Sequence, residues 1–486
     1  MLPQIIPNLV DGKEISAIGG ESFDKLRPAD GTKLCNVARS RAADVDAAIK
    51  AAVKAQPTWG DTPAVKRGEF LLAIVQGMQA RREEIAKLVA EETGKSLKDA
   101  LGETGGAISL GLFYAGEGQR LYGRTTTSMA QNKYAMTVRQ PIGVAGLIIA
   151  ANTPIANVAW KVFPALICGN AAVLKAAEDT PATAWLFGKL AEAAGLPSGV
   201  LNIIQGFGEE AGSPLVADPR VGVVSFTGST AVGKIIQRAA GERLARISLE
   251  LGGKNPLVVC DDADLSNAVK WTLLSAYSNA GQRCAAASRI IVFASVYDKF
   301  KAMLLEGARN LKVGISDSDD FGAVINERQL KNMLSAVEKA QAEGATVLLG
   351  GNRLLGPSHD KGFFMAPTIL ENADPKAEIS RKELFGPIAT LYKVGGFDEA
   401  LSLANDSPYG LTACIHTRNF SRAVRFADKV QSGVAVVNAG TYGSEPHMPF
   451  GGVKQSGNGS REPGTEALNV YSELKDIYLN VDPAQL

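Results

Sequence analysis

The chain has little of what usually carries metal or disulfide chemistry. Only three of its 486 residues are histidine, His359, His416 and His447, so neither a histidine base nor a histidine metal site is expected. Its five cysteines, Cys35, Cys168, Cys260, Cys284 and Cys414, are odd in number and widely spread, with no CxxC pair. That argues against a disulfide framework or a zinc site and suits a reducing cytoplasm. An excess of one charge is also missing. Lysine and arginine total 51 against 50 acidic residues, which points away from nucleic acid and from anionic membranes as partners. The most apolar stretches, such as Ile142 to Ala151, are far shorter than the roughly 20 residues of a membrane helix. The segment from Met1 to Asn8 lacks the charged and apolar regions of a signal peptide.

What is there is an ordinary globular composition, 46% hydrophobic and 21% charged, on a chain too long for one simple core. Two or three domains are expected. Residues 44 to 118 read as helical. Asp44 is placed to cap a segment with Val45, Ala48, Ile49, Ala52 and Val53 on one side, and Val65 to Glu92 reads as one longer helix ended by Thr93-Gly94. Residues 123 to 141, with Thr125-Thr126-Thr127 and a break at Pro141, read as extended chain at an edge.

From 142 onward, short apolar runs alternate with helical stretches. Strands are expected at 143–149, 171–174, 200–204, 221–226 and 246–249, with helices at 155–168, 180–194, 208–217 and 233–240. That alternation means an α/β fold with a parallel sheet covered on both faces. It is a doubly wound, Rossmann-like unit that takes ligands at the carboxyl ends of its strands. Pro256 to Cys260 opens a second series, with runs at 289–293, 346–349, 389–394, 411–416 and 434–437, hence a second α/β domain over about 254–450. Leu474 to Val481 alternates in polarity. It reads as a lone strand needing a partner, either 125–140 of this chain or a neighbouring subunit.

Several segments at these strand ends carry chemistry. Ser225 to Gly233 runs from a strand into a helix, and its free amides and helix dipole suit a pyrophosphate. A plain helix cap by Ser229 or Thr230 fits the same residues. Lys175 and Glu178 end another strand, as ribose ligands or as a solvated pair. Cys284 differs from Cys168 and Cys260 in sitting in a polar, glycine-containing segment, Asn279-Ala280-Gly281-Gln282-Arg283-Cys284, with Arg283 beside it either to favour a thiolate or to point away into a structural ion pair. Glu250 ends a strand just before Gly252-Gly253, a pair that permits close backbone approach to a ligand. Asn152 precedes Pro154, as an oxyanion donor or an Asx turn. Glu383 and Phe385 sit ahead of a Gly-Pro turn.

Seven motifs in one order make the chain resemble the NAD(P)-dependent aldehyde dehydrogenase superfamily from about residue 8 to 482. They are Asn152-Thr153-Pro154, Leu174 to Glu178, Phe226 to Thr230, Glu250 to Lys254, Gly281 to Cys284, Glu383 to Pro387 and Pro449 to Gly457. The resemblance implies a nucleotide-binding domain of residues 1–121 and 142–253. It implies a catalytic domain over 254–450 and a β oligomerisation arm of 122–141 and 468–486, in a homodimer or homotetramer. It makes Cys284 the nucleophile toward a small aldehyde and Asn152, with the Cys284 amide, the oxyanion hole. Glu250 becomes the base that hydrolyses the thioester. It gives NAD as cofactor, with NADP as the second option and no metal. The cofactor contacts are Lys175, Glu178, Gly228, Ser229, Thr230, Gly233, Leu251, Glu383 and Phe385. Glu178 favours NAD by repelling a 2′-phosphate.

The retained Glu250 favours hydrolysis over the CoA-acylating branch, and the intact Cys284, Glu250 and Asn152 set argues against a silent scaffold on this fold. Many members carry Trp-Asn-Phe-Pro where this chain has Ala151-Asn152-Thr153-Pro154, so a wider or differently shaped substrate channel is expected. A carboxylated semialdehyde is placed slightly ahead of an aliphatic or aromatic aldehyde as substrate, with Arg283 or Lys161 to meet a distal carboxylate.

Overall fold

Two seven-stranded sheets, each centred on parallel strands, organise the chain in the computed structural model, which describes residues 2–316 and 318–485. Met1, Asp317 and Leu486, which fall within the expected domain ranges, lie outside the described residues. The first sheet runs Arg246–Glu250, Val221–Thr227, Val144–Ile148, Ala171–Lys175, Leu201–Ile204, then Asn8–Val10 and Lys13–Ile15. Its first five strands are parallel and almost wholly buried, as continuous apolar runs require when helices cover both faces. Strand order reverses on either side of Val144–Ile148, so a crevice opens at the carboxyl ends there.

The second sheet runs Thr346–Leu349, Thr368–Glu371, Ile388–Val394, Ala287–Phe293, Asn255–Val259, Thr412–His416 and Val434–Val437. All its neighbours are parallel except the Thr346–Leu349 edge. The α/β class and the Rossmann-like first unit are thus as the alternating pattern implies.

Local departures have local causes. Asp44 is not the cap of its helix, Ala42–Asp61; Arg41 is, and Asp44 sits a turn inside, its carboxylate accepting from Arg41 N (2.9 Å) and Ile18 N (2.7 Å). The expected single helix from Val65 to Glu92 is two, Ala64–Ala80 and Arg82–Thr93, broken where Arg81 leaves helical geometry at φ −113°. The hairpin of Asn8–Val10 and Lys13–Ile15 turns through Asp11 (φ 52°) and Gly12 (φ 71°), an Asp-Gly signal that sequence reading passed over.

Ser472–Asn480 pairs antiparallel with Lys133–Pro141 over its full length, and Thr125–Thr127 adds a third strand. Residues 467–471 form a short helix whose Leu468, Val470 and Tyr471 are buried in the first core, so the extended part of this segment starts at Ser472. The preceding residues return to the first sheet. Leu251 N donates to Ser456 O (3.0 Å), and Leu249 N donates to Asn458 Oδ1 (3.1 Å).

Candidate active site

A cavity of about 950 Å³ lies between the carboxyl ends of the first sheet and the second α/β unit. Strand ends deliver its first wall: Asn152 follows Val144–Ile148, Gly228 and Ser229 follow Val221–Thr227, and Glu250 is the last residue of its strand. The facing wall carries Cys284, Glu383 and Phe385. Leu251 also lines the cavity, whereas Lys175, Glu178, Thr230 and Gly233 do not.

Cys284 stands on an irregular loop. A short 3-10 turn, Ser278–Gly281, contains Asn279 and Ala280 at φ 54°, a left-handed conformation that costs non-glycine residues about 1–2 kcal/mol each. Side chains hold it in place. Asp99 Oδ2 accepts from Asn279 N (3.0 Å), and Gln282 Nε2 donates to Asn279 O (3.2 Å). Beyond the turn, Asn255 Nδ2 donates to Cys284 O (2.7 Å) and Ala286 O (2.9 Å). The thiol is partly exposed to the cavity. Burial pushes it up to about 12, and the Glu383 and Glu250 carboxylates add to the rise. The expected thiolate-forming effect of Arg283 is present but minor, because that guanidinium is engaged with Asp99 (3.3 Å) and lies 5.0 Å from the Tyr442 ring. At rest Cys284 is a thiol and needs a base.

Glu250 is 4% exposed, and both its carboxylate oxygens are buried without a hydrogen-bond partner. Burial raises its pKa well above the usual carboxylate range and Glu462 adds to that, with Lys161 and Arg461 opposing. A carboxylate made more basic in this way is suited to take a proton from a thiol or from water. Asn152 Nδ2 donates to Gln282 O (3.0 Å), which ties the end of the first sheet to the Cys284 loop; an amide has a second N–H to offer.

The nucleotide side is built from the same strand ends. Ser229 caps the helix Thr230–Gly241 by accepting from Val232 N (3.3 Å), and Thr230 Oγ1 donates to Gln455 O (3.1 Å). The Thr230 hydroxyl has spent its proton while Ser229 Oγ only accepts, so this turn offers an anion the Ser229 O–H and the first-turn amides, which no helix can satisfy internally. Thr227 Oγ1 is buried, lines the cavity and has no partner. These groups fit a dinucleotide phosphate.

The glycines here answer to the protein itself. A Cβ at Gly233 would lie 2.6 Å from Leu251 Cδ2, and one at Gly252 would lie 2.0 Å from Glu383 Oε2. The close approach expected of Gly252-Gly253 toward a ligand is instead made by Glu383, whose Oε1 accepts from Gly253 N (2.9 Å). Burial lifts Glu383 to about 7. Lys175 Nζ meets Glu178 Oε2 at 2.9 Å. Burial raises Glu178, but the Lys175 ammonium, the Glu178 backbone amide and Arg328 together bring the carboxylate below its usual range.

Lys161 does not face the cavity. It is fully buried, 3.0 Å from Glu462 and 2.6 Å from Ser225 Oγ, so it is not a carboxylate receptor. Sequence reading missed Asn255 and Asp99, whose amide and carboxylate roles carry no motif, and the tying role of Gln282, which sits inside the Gly281 to Cys284 motif. It also missed Trp160 and Phe450, whose rings meet edge-on at 5.3 Å in the cavity wall. The Phe450 of Pro449-Phe450-Gly451 was the available signal.

Comparison with known proteins agrees with this geometry. The model of the aldehyde dehydrogenase family matches residues 15–477. The chain is 38% identical over 475 residues to an alpha-ketoglutaric semialdehyde dehydrogenase of Bacillus subtilis, covering 97% of each chain. It is 38% identical over 464 residues to a 2,5-dioxopentanoate dehydrogenase of Saccharolobus solfataricus, covering 94% of this chain and 96% of that one. Among solved structures it matches a betaine aldehyde dehydrogenase of Staphylococcus aureus in complex with NAD+, with a TM-score of 0.96 and 33% identity over 98% of this chain and 95% of the other.

Proposed function

Because this chain belongs to the aldehyde dehydrogenase family, we propose that Cys284, Glu250 and Asn152 carry its reaction and that its aldehyde is a semialdehyde with a distal carboxylate. It is an NAD(P)-dependent aldehyde dehydrogenase. The observation that carries the assignment of roles is the Glu250 carboxylate, buried, unpartnered and lining one cavity with Cys284 and Asn152. Cys284 Sγ bonds to the aldehyde carbon as its proton is released to solvent. The oxygen that becomes negative is met by the free N–H of Asn152 Nδ2 and by the Cys284 amide. Bound nicotinamide supplies the acceptor for the hydride. Glu250 then takes a proton from the water that attacks the thioester, and the acid and the free thiol are released.

The first turn of Thr230–Gly241, Thr227, Glu383 and Phe385 would hold the cofactor, with Lys175 and Glu178 at the adenosine ribose. The domain limits expected from sequence are kept as part of this reading. So are a cytoplasmic location, in keeping with the five free cysteines, and a homodimer or homotetramer. Ser472–Asn480 and Val434–Val437 are both sheet edges paired on one side only. The first exposes Leu474, Tyr478 and Leu479, which is the kind of edge proteins cover.

The substrate class is supported by the two semialdehyde dehydrogenase relatives; Arg283, unlike Lys161, lines the cavity, where it shares its charge with Asp99. The test is a panel of carboxylated and uncharged aldehydes of equal length with the parent enzyme and Arg283→Met. The variant is expected to lose about tenfold or more in kcat/KM on the carboxylated members and less than about threefold on the uncharged ones. Equal losses on both would sink the assignment.

A further inference from the structure

We propose that Lys95, Asp99 and Glu103, in the wall of the same cavity, are positioning residues that hold Asn152 and the Cys284 loop in register. The proposal rests on the reading of Asn152 as oxyanion donor. All three lie at the start of the helix Leu97–Glu117 or just before it, where Ser96 caps the first turn by accepting from Asp99 N (3.2 Å). That helix lies hard against Pro154–Ile167: a Cβ at Gly111 would sit 2.8 Å from Phe163 Cζ, so glycine lets the two axes close up.

The bonds converge on two short backbone stretches. Lys95 and Glu103 are 2% and 4% exposed and form a buried ion pair. Lys95 Nζ also donates to Asn152 O (2.8 Å). The other oxygen of Glu103 accepts from Ile155 N (3.0 Å) and Ala156 N (3.4 Å), the first amides of the helix that follows Asn152. One pair thus grips the residue from both sides, at its carbonyl and through the next turn.

Asp99 does the same for the loop, accepting from Asn279 N and from Arg283 Nη2. The two halves are joined by Asn279 Nδ2, which donates to Asn152 O (3.1 Å) and to Gln282 O (3.1 Å), the same carbonyl that Asn152 Nδ2 contacts. An ion pair kept out of water is costly unless its spare donors and acceptors are satisfied. Here they are satisfied by the backbone of the oxyanion donor, and that is the ground for assigning the pair to positioning rather than to packing.

The experiment is a double-mutant cycle with Asn152→Ala. Lys95→Met/Glu103→Gln removes both charges at nearly constant shape, and Asp99→Ala serves should that protein not fold. Read out are kcat/KM for an aldehyde, the Kd for NAD and the melting temperature. The double change is expected to lower kcat/KM by about 30-fold with Asn152 present and by less than about threefold in Asn152→Ala, whereas Asp99→Ala, which acts through the Cys284 loop, is expected to lower it by about the same factor in both backgrounds, with Kd for NAD unchanged in each. Lys95→Arg should restore part of the loss. A full loss of about 30-fold from the Lys95/Glu103 change that persists in Asn152→Ala, an Asp99→Ala enzyme with undiminished kcat/KM, or a loss matched by weaker NAD binding overturns the proposal. Asn152→Ala alone leaving kcat/KM intact would overturn the oxyanion reading on which it stands.

Discussion

Glu250 and Cys284 face one cavity but are held in opposite ways. Glu250 is the last residue of a regular, buried strand, paired along Val221–Thr227 from Arg246 onward; its backbone needs no special support and its carboxylate has no partner at all. Cys284 follows two left-handed non-glycine residues, and distant side chains tie the loop at Asn279 N and at the carbonyls of Gln282, Cys284 and Ala286. A group that must take a proton gains from isolation, since an unpaired buried carboxylate is a stronger base. A group that must meet a carbonyl at bonding distance gains from being pinned.

The largest effect expected from breaking this comparison is at the nucleophile. Cys284→Ser should lower aldehyde oxidation by at least about a thousandfold, measured as NADH formation, while the Kd for NAD stays within about twofold. Robust turnover by that variant would remove Cys284 from the mechanism.

A smaller effect is expected at the pins. Asn255→Ala takes one side chain from Cys284 O, Ala286 O and Thr412 N, all within 3.1 Å. Leaving buried groups unpaired costs about 1–3 kcal/mol each, so denaturant unfolding should report a loss of about 3 kcal/mol, together with about a tenfold fall in kcat. Unchanged kcat would mean that the loop is held adequately without Asn255.

The smallest effect is at the strained turn itself. Ala280→Gly relieves a φ of 54° but gives up a buried methyl, so stability should move by less than about 1 kcal/mol and kcat by less than about twofold.

The same contrast explains what the sequence made legible. Glu250 could be placed because a continuous apolar run announces a buried parallel strand and the carboxylate comes at its end. The Rossmann-like alternation, the second α/β series and the pairing of Leu474 to Val481 with the 125–140 region follow from periodicity in the same way. The Cys284 loop is different. Its geometry depends on Asp99, Asn152 and Asn255, which are far away in sequence and bond through carboxylate or amide groups that no periodicity marks. Lys161 shows the limit from the other side: a basic residue two turns beyond Asn152 looks like a substrate ligand, and only the Glu462 returning from the far end of the chain shows that its charge is already engaged. Gly252 was read as room for a ligand because the sequence holds no sign that Glu383 fills that room.

The division of labour between the two residues is tested most directly by single-turnover kinetics of Glu250→Gln with intact-mass detection. If Cys284 attacks first and Glu250 acts chiefly on the thioester, NADH should appear in a burst of about one equivalent per site. The acyl group should be found on the peptide that contains Cys284. Steady-state turnover should be slower by about 100-fold or more and should lose the rise with pH that titration of the raised Glu250 carboxyl gives the parent enzyme. A Glu250→Gln enzyme with undiminished steady-state rate, or with no acyl adduct on Cys284, would contradict the account.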